Sequence, residues 1–202
     1  MAALRARAAS GDTAAEFALG AAYALGQGVP RNLAEAAQWY RRAAELGLAD
    51  AQFNLGVMYA GGIGVAQDSG KAAYWYLQAA RQGVAEAQFN LGTMCAEGES
   101  MPKDAVEAAN WYRKAAAQGS AEAQCNLGVM YCNGDGVPKD LVEAHAWFIA
   151  ASSNGDSLAR ANRDRLNSVM TAAQKAAAFK LALERVGDPK KRELLASSAG
   201  HS

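Results

Sequence analysis

The chain has 202 residues, 20 acidic and 20 basic side chains, and 51% apolar residues. That is enough apolar material for a sizeable core in one domain or one continuous array. The zero net charge excludes the strongly basic footprint of a dedicated nucleic-acid binder. Alanine is abundant and strongly β-forming residues are few, so the composition leans helical.

No apolar run approaches the ~18–20 residues that a membrane helix needs, so no membrane insertion is expected. The opening stretch MAALRARAASGD is charged and too short in apolar length for a signal peptide. Charge is uneven along the chain. Residues 1–155 carry 15 acidic and 11 basic side chains, and residues 156–202 carry five acidic and nine basic. The three cysteines, Cys95, Cys125 and Cys132, are odd in number and irregularly spaced, which is not a disulfide framework. Cys125 and Cys132 lie two turns apart on one predicted helix, ~10 Å and beyond disulfide reach. A Cys95–Cys132 bridge between adjacent repeats is left open.

In chain order, residues 1–12 read as the end of a helix from a truncated preceding repeat. Leu4 sits in a slot that tyrosine holds later, and Gly11 sits in a closing-glycine slot. A 36-residue period then runs through four units, 13–48, 49–84, 85–120 and 121–155. Leu-Gly recurs at Leu19-Gly20, Leu55-Gly56, Leu91-Gly92 and Leu127-Gly128. Trp39, Trp75, Trp111 and Trp147 recur with it, each followed by an aromatic: Tyr40, Tyr76, Tyr112 and Phe148. A fixed period of this length marks a repeat array.

Within each unit the pattern predicts two helices. Ala51, Leu55, Met58 and Tyr59 make one apolar face of the first. Gly56 inside it costs ~0.5–1 kcal/mol against alanine, which suggests close approach of a partner helix. Gly62 and Gly64 end it. Asn32, Asp68, Asp104 and Asp140 are N-caps of the second helices. Glu35, Glu107 and Glu143 stand three residues on, as in a capping box. Gly83 closes the second helix of its unit. The Trp slot is expected to be a main source of core stability, at ~3–5 kcal/mol per ring. Neither helix buries its face alone, so stacking completes the core.

The third unit departs from the pattern. Its turn reads GESMPKD, with Ser100 and Met101 in place of Gly-Val, and Cys95 takes the Tyr slot, so an altered loop is expected. Residues 156–187 read as a degenerate capping pair. A first helix there carries Ala159 and Asn162, and Thr171 with Gln174 opens a last helix that packs Ala178, Leu181 and Leu183. Asp188-Pro189 starts at most another turn or two, and the tail within 188–202 is expected to be disordered.

The pattern A-x-x-x-LG-x-x-Y-x-x-G-x-G-V-x-x-D-x-x-x-A-x-x-WY-x-x-AA-x-x-G closely resembles the Sel-like repeat (SLR) family, relatives of the tetratricopeptide repeats. The resemblance implies an all-α fold, an α-α superhelix (solenoid) of four complete helix–turn–helix units plus C-terminal capping helices. It also implies that first helices line a concave face, and a scaffold or adaptor role, often bacterial. Where the chain works is left open between the cytoplasm and, if a leader has been removed, the periplasm or exterior.

Carrying the ligand-contacting positions of the related repeats onto this sequence gives Phe17, Ala21 and Ala24 in the first unit. The second gives Asp50, Phe53, Asn54, Val57 and Ala60; the third gives Glu86, Phe89, Asn90, Thr93 and Glu97. The fourth gives Glu122, Cys125, Asn126, Val129 and Asn133. Asn54, Asn90, Asn126 and Asn162 form a row whose amides can donate and accept toward a peptide backbone or satisfy neighbouring helices instead. Trp39, Trp75, Trp111, Trp147, Gly20, Gly56, Gly92 and Gly128 are assigned to structure.

Catalysis is not expected, and neither is a cofactor or metal. His145 falls in a slot held by Ala37, Ala73 and Ala109, His201 lies in the tail, and no His–Cys spacing suits a metal. The glycines punctuate helices and form no phosphate loop. Some cysteine-rich family members have been linked to β-lactam chemistry, and Ser100-Met101-Pro102-Lys103 is an S-x-x-K string. That chemistry needs both residues one turn apart on a helix, whereas this string lies in a turn with a proline. The leading reading is thus a scaffold that binds a protein or peptide segment. The alternatives are homo-oligomerisation through an N-terminal edge that residues 1–11 cover only partly, and hydrolysis at Ser100.

Overall fold

The computed structural model describes residues 1–100, 102–186, 190, 192, 193, 195 and 196. Among them the chain is entirely helical: α1 (Ala2–Ala9), α2 (Thr13–Leu25), α3 (Leu33–Glu45), α4 (Ala49–Gly61), α5 (Ser69–Arg81), α6 (Ala85–Glu97), α7 (Ala105–Ala117), α8 (Ala121–Asn133), α9 (Leu141–Ser153), α10 (Ser157–Asn167) and α11 (Ala172–Arg185). From α2 to α9 each repeat contributes one pair. Asp188-Pro189 and nearly all of the tail lie outside the described residues.

The sequence dictates where helices start and stop. Side chains of Asn32, Asp68, Asp104 and Asp140 accept hydrogen bonds from backbone N–H groups of the first turns of α3, α5, α7 and α9. These bonds satisfy donors that a helix start leaves orphaned. The reciprocal half of the capping box forms at Thr171–Gln174 of α11. Glu107 instead accepts from the Trp111 indole one turn on in α7, and Glu143 pairs with Arg185 of α11. First helices end on left-handed Gly26, Gly62 and Gly134. Second helices are followed by left-handed Gly47, Gly83, Gly119 and Gly155.

One backbone bond recurs in the turn inside each repeat. The N–H of each cap residue donates to the carbonyl of the tyrosine slot: Asn32 to Tyr23, Asp68 to Tyr59, Asp104 to Cys95 and Asp140 to Tyr131. The bond ignores side-chain identity, so Cys95 leaves this closure intact in the third repeat. Ser100 there occupies the slot of left-handed Gly64 and Gly136, and adopts φ +65° itself. A Cβ on Gly64 would run into the Leu33 carbonyl and one on Gly136 into that of Ala105. The third turn has a contact of its own, Ser69 Oγ donating to Glu99 at 2.7 Å.

Two compact units result, one comprising Met1–Met94 with Glu99–Pro102 and the other Cys95–Gly98 with Lys103–Ser202. In the first, α1 packs on α2, α2 on α3, α3 on α4 and α4 on α5. In the second, α7 packs on α8, α8 on α9, and α9 on both α10 and α11. Alanines at Ala36, Ala72, Ala108 and Ala144 and at Ala43, Ala79, Ala115 and Ala151 are wholly buried and let helices close to short range. The leucines of the Leu-Gly pairs fill the interior, with Leu19, Leu55 and Leu127 fully buried.

The adjacent glycine receives a ring. A Cβ on Gly20 would lie 2.7 Å from Tyr40 Cδ1, and one on Gly56 2.7 Å from Tyr76 Cδ1; on Gly128 it would meet the Phe148 ring. The close approach expected at these glycines is therefore by the aromatic ring of the partner helix. This places the second residue of each Trp-aromatic pair in the core. Burial here differs from the expectation for the Trp slot: Trp39, Trp75 and Trp147 are only half-buried, while Tyr40, Tyr76 and Phe148 are buried. Neighbours on a helix point ~100° apart, so the Leu-Gly side can take only one of the two rings. Trp111 is the exception, 8% exposed and buried beside Tyr112. Cations lie over three of the four tryptophans, with Arg42 over Trp39, Lys114 over Trp111 and Arg185 over Trp147.

Candidate functional site

Side chains one turn apart on the first helices, at the Asn and following variable slots, border shallow grooves over the buried rings. In the first unit such a groove, of about 230 Å³, holds Phe89, Asn90 and Thr93 of α6 above Tyr76, with Ser69 and Glu99 at its edge. In the second unit Asn126 and Val129 of α8 border one of about 320 Å³ above Tyr112, with Lys103 and Asp135 at its edge. A third, of about 310 Å³, lies above Phe148 between α8 and α10 and contains Asn162, Arg165, Asn133 and Cys132. Shifting the first groove by one or two repeats reproduces the others: Asn90, Asn126 and Asn162 correspond, as do Thr93, Val129 and Arg165.

The predicted residues distribute unevenly over these grooves. Phe89, Asn90, Thr93, Asn126, Val129 and Asn133 line them. Glu86, Glu97 and Glu122 are exposed and line none of the three. Phe53, Asn54 and Val57 are half-buried and also line none, and the Phe53 ring lies 6.0 Å from Tyr76. Asn133 donates to Asp135 at 3.0 Å. Burial raises the pKa of the Tyr76 hydroxyl, and a hydrogen bond from Asn90 opposes that rise. Asn90 thus contacts a neighbouring helix and also borders a groove.

Reactive chemistry is poorly served. Cys95, Cys125 and Cys132 are not disulfide-bonded. Burial pushes Cys95 up to about 11 and Cys125 up to about 12, and raises Cys132 as well, so each favours the unreactive thiol. Among the described residues no cluster of His, Cys, Asp and Glu is arranged to hold a metal ion. Ser100 is exposed in a left-handed turn, and Lys103 precedes α7, so the S-x-x-K residues do not share a helix. No described helix is long and apolar enough to cross a membrane.

The Sel1 repeat sequence profile matches residues 13–48, 49–84, 85–120 and 121–156 in succession. The chain belongs to the Sel1 repeat family. Among solved structures it is similar to c5321, a protective antigen of uropathogenic Escherichia coli strains with an SLR fold. The two share 36% identity and a TM-score of 0.84 over 96% of this chain and 42% of the antigen. This chain therefore spans less than half the length of that relative. A Sel1 repeat protein from Oxalobacter formigenes is 32% identical, with a TM-score of 0.74 over 95% of this chain and 88% of that one. No curated protein matches. Sel1 repeats generally mediate protein–protein interaction, and the family is typically a non-catalytic scaffold. The Sel1 architecture here is all-α and of the solenoid class.

Two features of these Sel1 repeats escaped the sequence reading. The first is a glutamine ladder. Buried Gln52, Gln88 and Gln124 donate to the Ala44, Ala80 and Ala116 carbonyls at 3.0–3.1 Å. Gln52 accepts in turn from Gln82, and Gln124 from Asn154. Glu16 holds this slot in the first repeat and pairs with Arg42 at 2.8 Å. The second is an arginine–tyrosine clasp eighteen residues long: Arg5 to Tyr23, Arg41 to Tyr59 and Arg113 to Tyr131. In the third repeat the corresponding slots hold Leu77 and Cys95, so donor and acceptor are absent together. Both were visible as 36-residue recurrences of Gln and Arg, but polar residues on a helix look like solvated surface until their partners are known.

Proposed function

We propose that this chain is a scaffold, without catalytic activity, that holds a segment of a partner protein in the grooves along its first helices. The observation that carries this reading is the recurrence of one groove at the same slots of successive repeats. Each time it has an aromatic floor, an asparagine at its border and a variable residue one turn further on. Apolar floors supply contact area, asparagine supplies both a donor and an acceptor, and the variable slot supplies selectivity. The partner is a polypeptide because the general role of the repeat is protein interaction.

The test is partner capture with the full chain carrying Asn90→Ala, Asn126→Ala or Val129→Asp, alongside thermal unfolding of each variant. Partner capture is expected to fall while melting stays near that of the parent. Unchanged capture in all three variants would place recognition elsewhere. Earlier melting in step with lost capture would assign those side chains to packing.

A further inference from the structure

The three grooves share a floor and differ in charge. In the first unit the groove is edged by Glu99, and no cation is among the described residues that line it. The second unit's two grooves meet at Val129 of α8 and contain Lys103 in one and Arg165 in the other. Arg165 takes the variable slot held by Thr93 and Val129 in the preceding repeats. Its side chain is exposed and, like that of Lys103, has no ion-pair partner among the described residues. Lys139 stands close enough to Cys132, inside the Arg165 groove, to oppose the rise that burial imposes on its pKa. Among the described residues that line the pair of grooves, the one carboxylate is Asp135, which already accepts from Asn133.

An unpaired cation kept in a groove beside apolar surface favours an anionic guest. A carboxylate there gains a charge-assisted bond partly shielded from water, whereas a cationic guest meets like charge. We propose that the paired grooves of the second unit bind an acid-rich polypeptide segment. Arg165 and Lys103 take its carboxylates, and Asn126 and Asn162 take its backbone. Apolar side chains of the segment settle over Tyr112 and Phe148. This assignment rests on the groove reading above and adds the chemistry of the partner.

The full chain, immobilised, is panned with random twelve-residue peptides displayed on phage, in parallel with Arg165→Glu, Arg165→Lys, Lys103→Glu and Val129→Asp. Enriched peptides are expected to be richer in Asp and Glu than the input library. Their affinity should fall at least about tenfold on Arg165→Glu or Lys103→Glu, survive Arg165→Lys, and weaken as salt is added. Enriched peptides with no acidic bias, or acidic ones that both glutamate variants hold equally well, overturn the proposal. In that case the groove reading stands if Val129→Asp loses the peptides. Failure to enrich any peptide overturns both readings. Both cations are exposed and have no ion-pair partner among the described residues, so the variants should melt with the parent. If one does not, the other decides the charge question.

Discussion

Tyr76 is 4% exposed while Trp75 beside it is half-buried, and that difference assigns their separate roles. Tyr76 lies against the glycine of the Leu-Gly pair, where a Cβ would fall within 2.7 Å of its ring. Trp75 stacks edge-on with exposed Tyr74 at 4.9 Å. Sequence makes the two indistinguishable, because both recur with the same period and both are large rings. The Leu-Gly pair held the deciding information, since a glycine kept inside a helix despite its cost marks where a ring must fit. Tyr76→Ala is expected to cost about 3–5 kcal/mol and Trp75→Ala roughly 1–2 kcal/mol, because only the first empties a closed site. Urea unfolding of both variants checks the order, and equal costs would return the Trp slot to the core.

At the scale of the element, the helix pair depends on polar bonds as well as on alanine and leucine. Gln124 is 1% exposed; it donates to the Ala116 carbonyl and accepts from Asn154. The boundaries, caps and turns of these helices were legible because each is a local effect of one residue on nearby backbone. The ladder was not, because its meaning lies in a partner thirty residues away. Glu16 shows what a carboxylate needs in this slot: Arg42 pairs with it. In the fourth repeat the position equivalent to Arg42 is the buried Ala150, which supplies no charge. Gln124→Glu should therefore lose the bond to Ala116 and bury an unpaired anion, destabilising the chain by about 3 kcal/mol or more near neutral pH. The loss should shrink on acidification, as the new carboxyl takes up a proton and donates again. Thermal melts across pH measure this, and a pH-independent loss would point to simple misfit.

At the scale of the whole molecule, a buried histidine sits where the last matched repeat meets the two helices that follow it. His145 replaces an alanine of the preceding repeats and is 3% exposed on α9, against which α10 and α11 pack. Burial lowers its pKa from the ordinary 6.5. Asn167 opposes the shift, Arg163 and Lys175 add to it, and Asp164 opposes it again. The unfolded chain therefore takes up a proton at a higher pH than the folded one. The stability this neutral imidazole contributes is complete above about pH 6.5 and is lost as the pH falls through the lower folded value. Asp12 and Asp68, held below the ordinary 3.8 by backbone hydrogen bonds, keep their charge throughout that range and do not contribute to the effect. The melting temperature of the parent is expected to drop between pH 7.5 and pH 5. His145→Ala restores the residue of the other repeats and should flatten that drop, even if the small cavity lowers stability at every pH. A variant as acid-sensitive as the parent would show that the imidazole does not govern the transition, and the buried charge at the junction of α9 with α10 and α11 would lose its significance for stability.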